Sequence, residues 1–126
     1  MNWSLLLIVG GVMGAVFLLK RRSFVSADVA REHLAAGALV IDVRSPEEFR
    51  SGHVPNAVNI PLDELGESLP RRVKNKNQLL LLHCLSGTRS GMAKSKLRRL
   101  GYANAFNLGS FGRARRIVTA KGASSV

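Results

Sequence analysis

The stretch that decides the fold is Leu79-Leu80-Leu81-Leu82-His83-Cys84-Leu85-Ser86-Gly87-Thr88-Arg89-Ser90. Its apolar half is short enough for a buried strand and too short to cross a membrane. Cys84, the only cysteine of the chain, stands at the end of that strand. Small, Gly-containing and cationic residues follow. From Ser90 to Leu100 the residues Met92, Ala93, Leu97 and Leu100 then form a helical apolar stripe. A thiol between such a strand and such a helix faces backbone N–H groups and a helix N-terminus, and both favour the thiolate.

Upstream the same alternation recurs. Ser26 reads as an N-cap, with Asp28 and Glu32 early in a helix that ends near Gly37. Leu39-Val40-Ile41-Asp42-Val43-Arg44 is a buried strand running into charge, and Pro46 opens a short helix that stops at Gly52. Val54 to Ile60 reads as another short strand, Leu62 to Leu69 as a short helix, Pro70 to Gln78 as a basic loop, and Tyr102 to Leu108 as the last strand. Strands alternating with helices predict an α/β domain with an open, mostly parallel sheet flanked by helices. In such sheets ligands sit beyond the carboxyl ends of the strands, where Cys84 and Asp42-Val43-Arg44 both fall.

The N-terminus has a different character. Trp3 to Leu19 is an uncharged run of 17 residues closed by Lys20-Arg21-Arg22. At 1.5 Å per residue it reaches roughly 25 Å, the short end for a spanning helix, and snorkelling lysine or arginine extends that reach. A secretory signal needs basic residues before its apolar core, whereas here the charges follow it. Residues 1–22 are therefore expected to be a single-pass transmembrane helix with a basic stop. The N-terminus is expected outside and the domain on the cytoplasmic side, as on a bacterial inner membrane. Gly10 and Gly14, spaced as in GxxxG, permit homo-oligomerisation through this anchor. Residues 23–114 make the domain and 115–126 a basic, flexible tail.

Charge and composition narrow the function further. Residues 1–67 hold six Lys/Arg and eight Asp/Glu, while 68–126 hold thirteen Lys/Arg and no acid, so the net charge of +11 is −2 plus +13. A basic half attracts anions of any kind. The one tyrosine and five phenylalanines are not interleaved with the basic residues, so no nucleic-acid partner is expected. One cysteine allows no internal disulfide and no cysteine-based metal cluster. His33, His53 and His83 lack metal-ligand spacing, so neither metal nor cofactor is expected.

Three blocks of the chain resemble the rhodanese-like family, in particular its single-domain sulfurtransferases. They are Leu39 to Arg44 with Glu47-Glu48-Phe49, then Gly52-His53-Val54-Pro55-Asn56-Ala57-Val58-Asn59-Ile60-Pro61, then Cys84-Leu85-Ser86-Gly87-Thr88-Arg89-Ser90. The resemblance implies that Cys84 is a persulfide-carrying nucleophile and that Leu85, Ser86, Gly87, Thr88 and Arg89 cradle its outer sulfur, with Ser90 closing the loop. It also implies that Asp42 and Arg44 lie near that loop. Arg89 stands five residues after Cys84, the family's spacing for sulfur transfer. Phosphatases of the same fold, and arsenate reductases with them, use a loop one residue longer. Two departures stand out. Asn56 occupies a usual glycine position, and asparagine tolerates positive φ. Ser110 and Ala114 replace a glycine and a tryptophan of the C-terminal pattern.

The implied activity moves sulfane sulfur from a small anion such as thiosulfate, through Cys84, to a thiol or cyanide-like acceptor. A non-catalytic, membrane-tethered binding or scaffold module is the alternative, supported by the missing tryptophan and the basic tail. By itself Cys84 reads as a small buried hydrophobe, and Gly87, Arg89 and the upstream blocks turn the reading to a nucleophile. Asp42 reads as a hydrogen-bond acceptor fixing the loop. For Arg44, an ion pair with Glu47 or Glu48 and a substrate contact both stay open. His53 reads as structural. His83 precedes Cys84 on the strand and so faces the other way, a poor position for a general base.

Overall fold

The computed structural model describes residues 2–120, except the side chains of residues 20–22. Four parallel strands form one sheet in the order β2-β1-β3-β4, with β1 Leu39–Asp42, β2 Val58–Asn59, β3 Leu80–His83 and β4 Ala105–Gly109. Leu80, Leu81 and Leu82 are all fully buried, as a central strand covered on both faces requires. Alternate residues serve opposite cores. Leu80, Leu82 and Cys84 join Ile41 and Val43 on one face, against α4 (Leu65–Arg72) and α5 (Thr88–Arg99). Val40 and Leu81 join Ala30 of α2 (Ala27–Ala35) and Ile117 of α6 (Phe111–Thr119) on the other.

Local chemistry accounts for the helix starts. Ser26 accepts from Val29 N at 3.2 Å, and Ser45 and Glu48 form a reciprocal capping box at the head of α3 (Pro46–Ser51). Asn56 takes φ 66°, the left-handed conformation that its replacement of glycine demanded. α5 begins at Thr88, two residues before the expected Ser90, because Gly87 at φ 97° turns the chain directly from loop to helix.

Other boundaries depart from the sequence reading. The strand expected over Val54 to Ile60 shrinks to two residues, since β2 is an edge strand paired only with β1. α4 carries the chain through Pro70 to Arg72, where a loop was expected. Pro70 brings no N–H to the helix, and only two residues of it follow. α6 continues past Ala114 to Thr119 and buries Ile117, so the folded domain ends later than residue 114. Residues 121–126 of the expected flexible tail lie outside the described residues.

The N-terminal run forms the helix α1, Trp3–Arg22, and every residue from 2 to 19 is exposed. Among the described residues no helix is long and apolar enough to cross a membrane. The transmembrane helix expected from the sequence is corrected accordingly. Its apolar part spans roughly 25 Å against a hydrocarbon core of about 30 Å.

Candidate active site

Cys84 leaves β3 at the carboxyl edge of the sheet, and its N–H donates to Gly109 O at 3.2 Å. The register of β3 against β4 slips between Leu82 and His83, so that His83 faces Gly109 and Leu108 is the extra residue. This bulge brings the end of β4 against the loop after Cys84. Leu85 O accepts from Phe111 N at 3.1 Å, and Ser86 pairs with Ser110.

Inside the loop the donors converge on sulfur. Gly87 N lies 3.0 Å from Cys84 Sγ, with Ser90 N and Ser90 Oγ each at 3.5 Å. Burial pushes the thiol upward, but hydrogen bonds from the Ser90 hydroxyl and from the backbone N–H groups of Ser90, Gly87 and Ser86 outweigh it. The net result holds Cys84 below its ordinary value. The Ser90 hydroxyl has one proton and two claimants, for Asn107 Oδ1 lies 2.7 Å away. The backbone donors have no such competitor.

Asn107 is the residue that the sequence reading missed. It is buried on β4, accepts from Ser90 Oγ and from Gly109 N, and donates through Nδ2 to Gly87 O at 3.0 Å. One amide thereby ties together the glycine that supplies the nearest donor, the serine that supplies two more, and the end of the neighbouring strand. The available signal was a polar side chain between Phe106 and Leu108, since a buried amide must find partners.

Arg89 is at the expected position but is engaged. Its guanidinium makes a two-pronged bond to Glu48, Nη1 to Oε1 at 2.7 Å and Nη2 to Oε2 at 3.0 Å. Glu48 also accepts from Ser45 N. The Arg89 guanidinium, with these backbone contacts, lowers the Glu48 carboxyl to about 2. About a third of each side chain is exposed, 35% for Arg89 and 32% for Glu48, so the cation keeps one edge toward solvent.

Asp42 and Arg44 form a separate buried unit. Asp42 accepts from Arg44 N, Nε and Nη2, the last at 2.7 Å, and Arg44 Nη2 also donates to Gly52 O. Arg44 Cζ lies 4.5 Å above the Phe111 ring. Arg44 therefore pairs with neither Glu47 nor Glu48, and with four per cent exposure it has no open edge for substrate. Asp42 anchors Arg44 rather than the cysteine loop. His83 lies on the face of the sheet opposite Cys84, as expected. Its Nδ1 is 3.3 Å from Cys84 O, and Nε2 lies 3.6 Å from Asp42 Oδ2 without a hydrogen bond. Burial holds its imidazole below the usual range. His53 stacks on Phe49 and bonds Phe49 O, a structural contact. Leu85, Ser86 and Thr88 form the exposed outer lip of the loop.

With this geometry in view, the rhodanese-like domain family matches residues 26–111. The chain belongs to the rhodanese-like family. It is 42% identical over 69 residues to the thiosulfate sulfurtransferase PspE of Escherichia coli, covering 55% of this chain and 66% of that protein. It is 36% identical over 88 residues to YqhL of Bacillus subtilis, covering 64% of each. The chain thus spans just under two thirds of these two relatives. Among solved structures, a rhodanese with anions from E. coli superposes with a TM-score of 0.59 at 38% identity, over 61% of this chain and 91% of that one. The human single-domain sulfurtransferase TSTD1 gives 0.60 at 34% identity, over 71% and 89%.

Two outcomes follow from this chemistry. Ser90→Ala removes one sulfur donor and leaves the backbone N–H groups, so the midpoint of Cys84 alkylation against pH rises while the fold persists; an unchanged midpoint would show that the hydroxyl stays committed to Asn107. Glu48 is lowered from 4.5 to about 2, so its contribution is complete above pH 4.5 and is lost as pH falls toward 2. Discounted for solvent screening, that contribution is about 1 kcal/mol. Acid denaturation followed by circular dichroism loses this part of its pH dependence in Glu48→Gln.

Proposed function

We propose that the protein is a sulfurtransferase that carries sulfane sulfur on Cys84. The observation that supports this reading is the convergence of Gly87 N, Ser90 N and Ser90 Oγ on a buried sulfur. A thiolate held in this way attacks the outer sulfur of a thiosulfate-like donor. An S–S bond forms to Cys84, the donor's own S–S bond breaks, and its electron pair leaves on sulfite. An acceptor thiolate, or cyanide, then attacks the outer sulfur of the persulfide and returns Cys84 as the thiolate. Neither step needs an external oxidant or reductant.

The same N–H groups serve both states, because the persulfide places its negative charge in the same loop. Recognition of the donor's charge rests on these N–H groups and on the solvent-facing edge of Arg89, since Glu48 occupies the other edge and Arg44 is enclosed by Asp42. The spacing of five residues from Cys84 to Arg89 supports sulfur rather than phosphate as the transferred group. Incubation with thiosulfate adds the mass of one sulfur to the intact protein, and cyanide removes it. Cys84→Ser abolishes the adduct. An adduct that persists in that variant, or anion binding without cyanide-dependent turnover in the parent, would overturn the reading, and the latter outcome would make the domain a binding module.

The location proposed with this activity is a membrane surface, with the domain on the cytoplasmic face. α1 supports it by presenting apolar residues on every side between Leu5 and Leu19, all of them exposed. Lys20, Arg21 and Arg22 follow the apolar part and lie on the domain's side of it. Co-flotation of the full chain with liposomes is the expected result; a chain that stays at the bottom of the gradient would exclude membrane attachment.

A further inference from the structure

The segment joining α1 to the domain touches the cysteine loop directly. Phe24 is half-buried, two residues beyond the end of α1 and two before the first residue of the matched domain. Its ring lies across two glycines. A Cβ on Gly87 would stand 2.5 Å from Phe24 Cζ, and one on Gly109 would stand 3.0 Å from Phe24 Cδ2. Both glycines have positive φ, at 97° and 103°, so any other residue there would be strained as well as obstructed. The ring is held from behind, with Arg113 Cζ 5.5 Å from its centroid. Arg113 also donates to Val25 O and Leu108 O, each at 2.6 Å, and Val25 N donates to Asn107 O at 2.8 Å. The segment is therefore clipped at Val25, the residue after Phe24, to β4 and, through Arg113, to α6.

Gly87 supplies the nearest donor to Cys84 Sγ, and its carbonyl is taken by Asn107 Nδ2. Its remaining side faces the Phe24 ring. A left-handed glycine has several accessible conformations of similar energy, so a flat apolar surface on its open side restricts the peptide that carries the donor.

We propose that Phe24 is a positioning residue for Cys84, its ring holding the Gly87 peptide so that the N–H stays aimed at the sulfur. The proposal rests on the sulfurtransferase reading for its purpose but not for its test. Cys84 is the sole cysteine, so alkylation by iodoacetamide reports this thiol alone in the full chain, in detergent and without any sulfur donor. Of the charged groups here, Arg89 and its partner Glu48 do not touch Phe24, and Arg113, which stands over the ring, is tied to Leu108 O and Val25 O in its own right. In Phe24→Ala the midpoint of alkylation against pH rises by roughly one unit, and in Phe24→Leu it rises by less. A Phe24→Ala protein that melts earlier yet titrates at the parental midpoint overturns the proposal, because Phe24 would then be ordinary packing. Should Phe24→Ala fail to fold, Phe24→Leu decides, with an unshifted midpoint as the overturning result. Failure of the parent to load sulfur from thiosulfate would instead refute the activity and leave this titration as it stands.

Discussion

A buried sulfur that must carry negative charge is tenable only where N–H groups already point at it, since burial alone favours the neutral thiol. Cys84 is one per cent exposed, and the bond from Gly87 N at 3.0 Å is the contact on which the rest of the loop depends. That bond needs a left-handed residue immediately before a helix. Gly87 provides it, and α5 starts one residue later with the N–H of Ser90, in its first turn, directed to the same atom. Everything that stabilises the Gly87 peptide therefore acts on the sulfur.

The support is layered across the sheet. Asn107 on β4 joins the carbonyl of Gly87 to the hydroxyl of Ser90, and the slipped register at Leu108 lets Gly109 reach both Cys84 N and Asn107. Ser110 and Ala114, which depart from the family's pattern, are both accommodated. Ser110 accepts from Arg113 N to cap α6, and Ala114 is fully buried in the core beneath. Phe24 and Phe111 bring aromatic surface to the same end of the sheet.

The charged residues illustrate how neighbours reassign roles. Asp42, Arg44, Glu48 and Arg89 could pair in several ways from their spacing. In the fold, Asp42 closes on Arg44 within a buried unit, while Glu48, fixed by its capping box at the head of α3, is free to hold Arg89. The buried pair is costly to break from one side and serves the architecture at the carboxyl edge of β1. The partly exposed pair aims a cation with an open edge beside the loop.

The sequence by itself determined the α/β alternation, the position of Cys84 at a strand end, the helix after it, the capping of α2, the start of α3 at Pro46 and the orientation of His83 away from the sulfur. These follow from periodicity and from chemistry between residues a few positions apart, which act before any distant contact forms. Tertiary structure alone decided that Arg89 meets Glu48, that Arg44 is sealed by Asp42 and Phe111, and that Asn107 and Phe24 stand behind the loop. The partners of Cys84's loop come from 17 to 63 positions away in the chain, Asn107 from Ser90 at one end of that range and Phe24 from Gly87 at the other. Strand order and register, set by burial over the whole sheet, bring such residues together, and no local pattern encodes them.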